Sequence, residues 1–252
     1  MDANYLIILA LSFLGSFIGV NFGGSMLMVI PALLGLGYNP ITILCSTRPA
    51  IVMQSLIGLC LFRKYRDINF VHHLYLFLSA SIGALIGIYF VASLTTEIAT
   101  LIMLSFVIGL SIIAALKYFL MDYFKKDRGF LSSNQNSLIS IITTGFTPAI
   151  IGGIIGSGAG LVVVLFALLL LNRGIKAASY LEKNVSLSHS STVLLWSLFY
   201  GEFDILIGII VFIGTSLGAY FGGKLTVKLN IWWMYGMIIL LCLIIIIKKL
   251  IF

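Results

Sequence analysis

The sequence predicts an all-α polytopic membrane protein made of two inverted repeats, each a broken helical hairpin plus three transmembrane helices. Three observations carry that expectation. Of the 252 residues, 61% are hydrophobic and only 9% are charged, and the mean hydropathy is +1.17, which leaves too little polar surface for a soluble globule. The apolar residues fall in runs of helical length, not in the short alternating segments of a barrel. Finally, a small-residue phrase occurs twice, SIGALIG from Ser81 to Gly87 and SLGAYFG from Ser216 to Gly222, 135 positions apart. A duplicated hydrophobic unit is a recurrent plan of secondary transporters.

The first apolar run, Tyr5 to Leu36, has 32 residues and as one helix would measure about 48 Å against a hydrocarbon core of roughly 30 Å. Its counterpart from Ser137 to Leu171 has 35 residues and overshoots further. Each holds a glycine cluster near its middle: Asn21 to Ser25 in the first, and Gly152 and Gly153 with Gly156 to Gly160 in the second. Each is expected to break there into a hairpin of two short helices. The runs Ile41 to Phe62, Phe70 to Leu94 and Ile98 to Leu120 complete the first repeat, assigned to 1–121. A polar linker, 122–136, precedes the second repeat, 137–252, whose last three runs are Ala177 to Phe199, Ile205 to Gly222 and Ile231 to Ile247.

Charge placement supports the hairpins. With both long runs doubling back, Arg63, Lys64, Arg66, Lys125, Lys126, Arg128, Arg173, Lys176, Lys224 and Lys228 all face the cytoplasm, Glu97, Glu202 and Asp204 face outside, and Lys248 and Lys249 alone break the positive-inside rule. Single crossings would scatter these cations over both sides. Two hairpin helices and three spans make an odd number of elements per half, so the second half is inverted. The excess of Lys and Arg beside apolar spans reads as membrane orientation and not as a nucleic-acid surface. The N-terminus has no basic region before Tyr5, which argues against a cleaved signal peptide. Cys45, Cys60 and Cys242 lie within apolar runs without metal spacing and are expected to be buried thiols.

Shifting the chain by 135 positions without a gap lays Asp67 on Glu202, Gly23 on Gly158, Gln54 on His189 and Arg48 on Lys183. Arg48 and Lys183 each fall not far from mid-bilayer, where a charge costs about 2.5 to 3.5 kcal/mol on insertion scales. Such residues pair, face an interior or mark a substrate path. Glu182 is the one intramembrane carboxylate nearby, and it cannot neutralise both cations. The surplus positive charge points to an anion held between Arg48 and Lys183; a purely structural ion pair is the alternative. Thr47 and Pro49 flank Arg48, and proline disfavours helix at the residue before it, so an unwound stretch with free backbone donors is one expectation and a kink the other. Gly23, Gly24 and Ser25, like Gly158, Ala159 and Gly160, open short helices whose N-termini suit a negative group, although glycine also serves close helix packing. Gly15, Gly83, Gly87, Gly218 and Gly222 read as packing. Gln54 and His189 could donate to substrate oxygens. His189 and Glu182 are the candidates for carrying a coupling proton, and a coupling cation is the other option. His72, His73, Trp196, Trp232 and Trp233 are expected at the interfaces.

The glycine-rich opening from Gly15 to Ser25 with Pro31, the stretch Ser46 to Gln54, and the basic loop from Arg63 to Asn69 resemble the first half of the sulfite exporter TauE/SafE family. The segments Gly152 to Gly160, Lys183 with Ser186, Gly201 to Asp204 and Gly218 to Gly222 resemble its second repeat, so the likeness covers nearly the whole chain. It implies a cell-membrane permease for small sulfur-containing anions such as sulfite, sulfonates or related organic acids, with the lipid bilayer as its surroundings and no cofactor. An anion channel would use the same cations. An intramembrane enzyme would need a nucleophile with its base or a metal cluster, and neither HExxH nor paired aspartates occur.

Overall fold

Two glycines with left-handed backbones divide the long apolar runs: Gly23 at φ +74° and Gly156 at φ +79°, a conformation that a Cβ would strain. The computed structural model describes residues 3–20, 23–66, 69–103, 105, 109, 137–156, 159–171 and 173–228. Asn21, Phe22, Asp67, Ser157, Gly158, the linker 122–136, and the run holding Trp232, Trp233, Cys242, Lys248 and Lys249 lie outside the described residues.

In chain order the helices are α1 (Ala3–Gly19), α2 (Met26–Gly35), α3 (Pro40–Phe62), α4 (Phe70–Ala92), α5 (Leu138–Ile155), α6 (Ala159–Leu169), α7 (Ile175–Tyr200) and α8 (Ile205–Lys228). Residues 96–103 are helical as well, and no strand occurs among the described residues. Among the described residues, four helices are long and apolar enough to cross a membrane: Pro40–Tyr65, Phe70–Ala92, Leu138–Ile155 and Ile205–Leu225. The 26 residues of α7 would also span, at about 39 Å, but this helix carries the polar residues of the interior. By contrast α2 and α6, of 10 and 11 residues, reach only about 15 to 17 Å, half the bilayer core.

Local chemistry sets the ends. Asn39 caps α3, its side-chain oxygen accepting from Ile41 N at 3.0 Å with Pro40 at the first helical position. Asp204 does the same for α8, accepting from Ile207 N at 3.0 Å. Its own N–H donates to Ser46 Oγ at 2.8 Å and so ties α8 to α3.

Displaced by 135 positions, α1 falls on 138–154, α2 on 161–170, α3 on 175–197 and α4 on 205–227, so each helix of the first half overlays its counterpart in the second. Packing follows the same correspondence. α1 packs along α8 while α5 packs along α4, and α3 packs against both α7 and α8 while α7 packs against both α3 and α4. The counterparts α3 and α7 run antiparallel. Thr42 near the start of α3 donates to Glu202 just past the end of α7 at 3.4 Å. At the far end, Lys176 Nζ lies 5.3 Å from the ring of Tyr65.

The duplicated phrase is a packing device. Gly83 and Gly87 lie against the carbonyls of Phe146 and Ile150 on α5, and Gly218 and Gly222 against those of Phe13 and Phe17 on α1. A side chain at any of the four would collide with backbone, and close approach of this kind is what small residues permit between membrane helices. The opposite faces are apolar and exposed at matching positions: Leu74 and Ile209, Leu78 and Ile213, Ile82 and Leu217. In water such belts would be a liability; in lipid they are the solvent-facing surface.

Four expectations are corrected. Pro49 does not unwind its neighbourhood: α3 continues as helix from Pro40 to Phe62, and the Thr47 hydroxyl donates to Ile43 O at 2.8 Å within that helix. Cys60 is exposed while Cys45 is buried; a thiol is apolar enough to face lipid. Trp196, expected in an exposed interfacial belt, is instead buried, with ring centroids 6.1 Å from Tyr89 and 5.7 Å from Tyr200. His73 is buried too, its Nδ1 2.5 Å from Asn184 Nδ2 and its ring edge-on to Tyr180.

Candidate functional site

On α7, Glu182, Lys183, Ser186 and His189 follow helical spacing and share a face, which the antiparallel packing turns toward Gln54 and Ser55 of α3. The first residues of the two short helices meet this face. Gly23, Ser25 and Met26 from one side and Ala159 and Gly160 from the other complete a cavity that also includes Ile51 and Gly156. It has room for little more than one water.

Both intramembrane cations are buried, Arg48 at 0% and Lys183 at 1% exposure, but their surroundings differ. Lys183 Nζ stands 2.5 Å from Glu182 Oε2. The approach lies outside hydrogen-bonding geometry, leaving Oε2 with a charge contact alone. The methylenes of Lys183 run over Gly58, where an added Cβ would sit 2.6 Å from Cδ. Glu182 Oε1 accepts from Ser186 Oγ at 2.6 Å and is wedged between the two helix openings. A Cβ on Gly23 would be 2.5 Å from that oxygen and one on Gly160 2.6 Å.

Arg48 touches no carboxylate among the described residues. Its Nη2 donates to Gly152 O at 3.4 Å, its Nη1 lies 3.5 Å from His189 Nε2, and its Nε is unpartnered. His189 Nδ1 lies 3.2 Å from Val185 O, an acceptor, which assigns the proton to Nδ1 and leaves Nε2 to accept from Arg48 and from Ser190 Oγ at 3.3 Å. Ser25 stands at the N-cap of α2 but does not cap it; its hydroxyl donates to Gln54 Oε1 at 2.7 Å. Gln54 Nε2 is left buried without a partner among the described residues, an arrangement that costs free energy unless a ligand completes it.

Of the residues singled out in the sequence, Gly23, Ser25, Gln54, Gly160, Glu182, Lys183 and His189 therefore come together around one cavity. Arg48 stands behind His189 and does not line it. Thr47 turns back onto its own helix, Gly24 packs toward Leu27 and Leu161, and Gly158 lies outside the described residues. Sequence reasoning missed Ser55, Ile51 and the role of Ser186 as donor to Glu182; the four-residue spacing of 182 and 186 was the available signal. No group of three or more metal-ligating side chains occurs among the described residues. The arrangement can surround a small anion with an ammonium, a free amide donor, hydroxyls and the positive ends of two helix dipoles.

No curated protein and no solved structure matches the chain significantly. The family model for the Sulfite exporter TauE/SafE matches residues 7–249, nearly the full length, and the chain belongs to that family of integral membrane transporters.

Proposed function

We propose that this protein is a secondary permease for small sulfur-containing anions such as sulfite or a sulfonate, working by alternating access of two inverted repeats around the cavity between α3 and α7. The observation that carries the reading is the unpartnered Gln54 amide in a buried cavity ringed by Lys183 and two helix openings. An oxyanion supplies the acceptors these donors lack. Family membership supports the sulfur chemistry. Inversion is supported by the antiparallel course of the counterpart helices α3 and α7 and by the exchange of partners, α1 with α8 and α5 with α4. Such a pair of repeats can swap conformations about a central site.

Lys183 faces the anion directly, while Arg48, which has no carboxylate beside it among the described residues, acts through His189 or moves in as the cavity widens. Widening is required, since the cavity as it stands holds little more than a water. The test is sulfite flux into vesicles containing the purified protein. Lys183→Ala and Arg48→Ala should each reduce flux to the protein-free background while inserting normally. Wild-type flux in both variants would refute the assigned roles. Saturable flux that accelerates against a preloaded anion distinguishes a carrier from a channel.

A further inference from the structure

The most favourable anion position in this cavity is already filled by part of the chain. Glu182 Oε1 lies against the backbone of both Gly23 and Gly160, where a Cβ would collide with it, accepts from Ser186 Oγ at 2.6 Å, and belongs to the carboxylate that stands 2.5 Å from Lys183 Nζ. Helix openings, a hydroxyl and an ammonium are the groups a free oxyanion would seek. We infer that Glu182 is a tethered competitor: its carboxylate holds the substrate's place in the empty protein and yields it, by taking up a proton, when the anion enters. The inference rests on the anion-site reading above.

Three observations support it. First, the carboxylate leaves Gln54 Nε2 unsatisfied in the same cavity, so a donor remains for a guest with more oxygens than Glu182 can offer. Second, the cavity has room for little more than a water, so a sulfur oxyanion fits only if something retracts, and two unscreened negative charges side by side repel strongly. Third, the position equivalent to Glu182 in the first half is Thr47, whose hydroxyl is spent on Ile43 O. One half carries its own anion; the other leaves Arg48 without one among the described residues.

The charges balance. With Glu182 ionised the site holds two cations and one negative charge; after a monovalent anion binds and Glu182 becomes a neutral acid it holds the same. The proton comes from the aqueous side from which the anion enters and leaves with it on the other. The groups facing Glu182 are Lys183 and Ser186 of its own helix, Gly23 before α2 and Gly160 of α6, with His189 and Gln54 lining the same cavity and Arg48 reaching His189.

Calorimetric titration of the purified full-length protein with methanesulfonate, whose charge is fixed across the neutral and mildly acidic range, decides the matter. In buffers of different ionisation enthalpy the wild type should take up about one proton per anion, and its affinity should rise about tenfold per unit of acidification wherever Glu182 is ionised. Glu182→Gln should bind at the tight limit with no proton uptake and no pH dependence. Proton-free binding by the wild type, or wild-type pH dependence in Glu182→Gln, would overturn the inference. Should Glu182→Gln fail to fold, the proton count on the unaltered protein decides alone. Absence of methanesulfonate binding by the wild type would instead strike at the anion-site reading itself.

Discussion

Gln54 is buried with one end of its amide satisfied by Ser25 and the other unpaired. An unpaired buried donor costs about 1 to 3 kcal/mol, so this residue serves the empty protein poorly. Gln54→Leu removes that liability but leaves the Ser25 hydroxyl without its acceptor, and the two effects oppose. The melting temperature without anion should therefore change little, while the rise caused by saturating sulfite should vanish; a variant that keeps the full ligand-induced rise would show that the amide does not touch the anion. Much of the cavity's polar lining was legible in the sequence, because Gln54, Lys183 and His189, with Arg48 behind them, are polar interruptions of apolar runs and recur at one offset. What was not legible is direction. Neighbours on a helix point about 100° apart, and no spacing rule says that Glu182 reaches back between two glycines while Arg48 turns to His189 and Gly152. The expectation of an anion between the two cations rested on Glu182 neutralising only one of them; Lys183 is the one it meets, while Arg48 reaches Gly152 O and His189 and no carboxylate among the described residues.

Beside clusters of buried Leu, Ile and Val, several helix pairs in this protein approach closely through glycine. Gly87 on α4 lies against the Ile150 carbonyl and Gly153, and Gly222 on α8 against the Phe17 backbone, whereas Gly35 at the end of α2 has nothing within 4 Å of an added Cβ. Gly87→Leu should separate α4 from α5 and destabilise the protein by about 1 to 3 kcal/mol or more, as overpacking does. Gly35→Ala should leave stability unchanged or raise it by up to about 1 kcal/mol. Thermal unfolding in one detergent compares the two, and equal effects would remove the packing role assigned to the repeated phrase. The breaks at Gly23 and Gly156 were readable because two runs were too long for one crossing and each held a glycine cluster. Of the two expectations for Pro49, the unwound stretch fails because a proline removes one helical hydrogen bond without ending the helix, and α3 continues through it. Cys60 misled because apolar character alone does not distinguish the protein interior from lipid.

At the scale of the whole molecule, the cavity is lined by residues that pair under the 135-residue offset: Ser25 with Gly160, Ile51 with Ser186, and Gln54 with His189. A site straddling the relation between two halves is where an exchange of conformations would leave the ligand in place. The members of each pair differ chemically, so the two end states need not be equally stable, and that asymmetry is where a preferred direction would arise. The exchange works only if counterpart elements face opposite sides of the membrane. The turn after α3 and the turn after α7 are counterparts, and they lie at opposite ends of the α3 and α7 pair, marked by Lys176 over Tyr65 at one end and by Thr42 with Glu202 at the other. In a variant with Cys45, Cys60 and Cys242 replaced by Ser or Ala, Lys64→Cys should react with a membrane-impermeant thiol reagent only from the cytoplasmic side, and Glu202→Cys only from outside. Labelling of both from the same face would mean that the halves are not inverted in the membrane, and alternating access by exchange of the repeats could not operate, whatever the cavity binds.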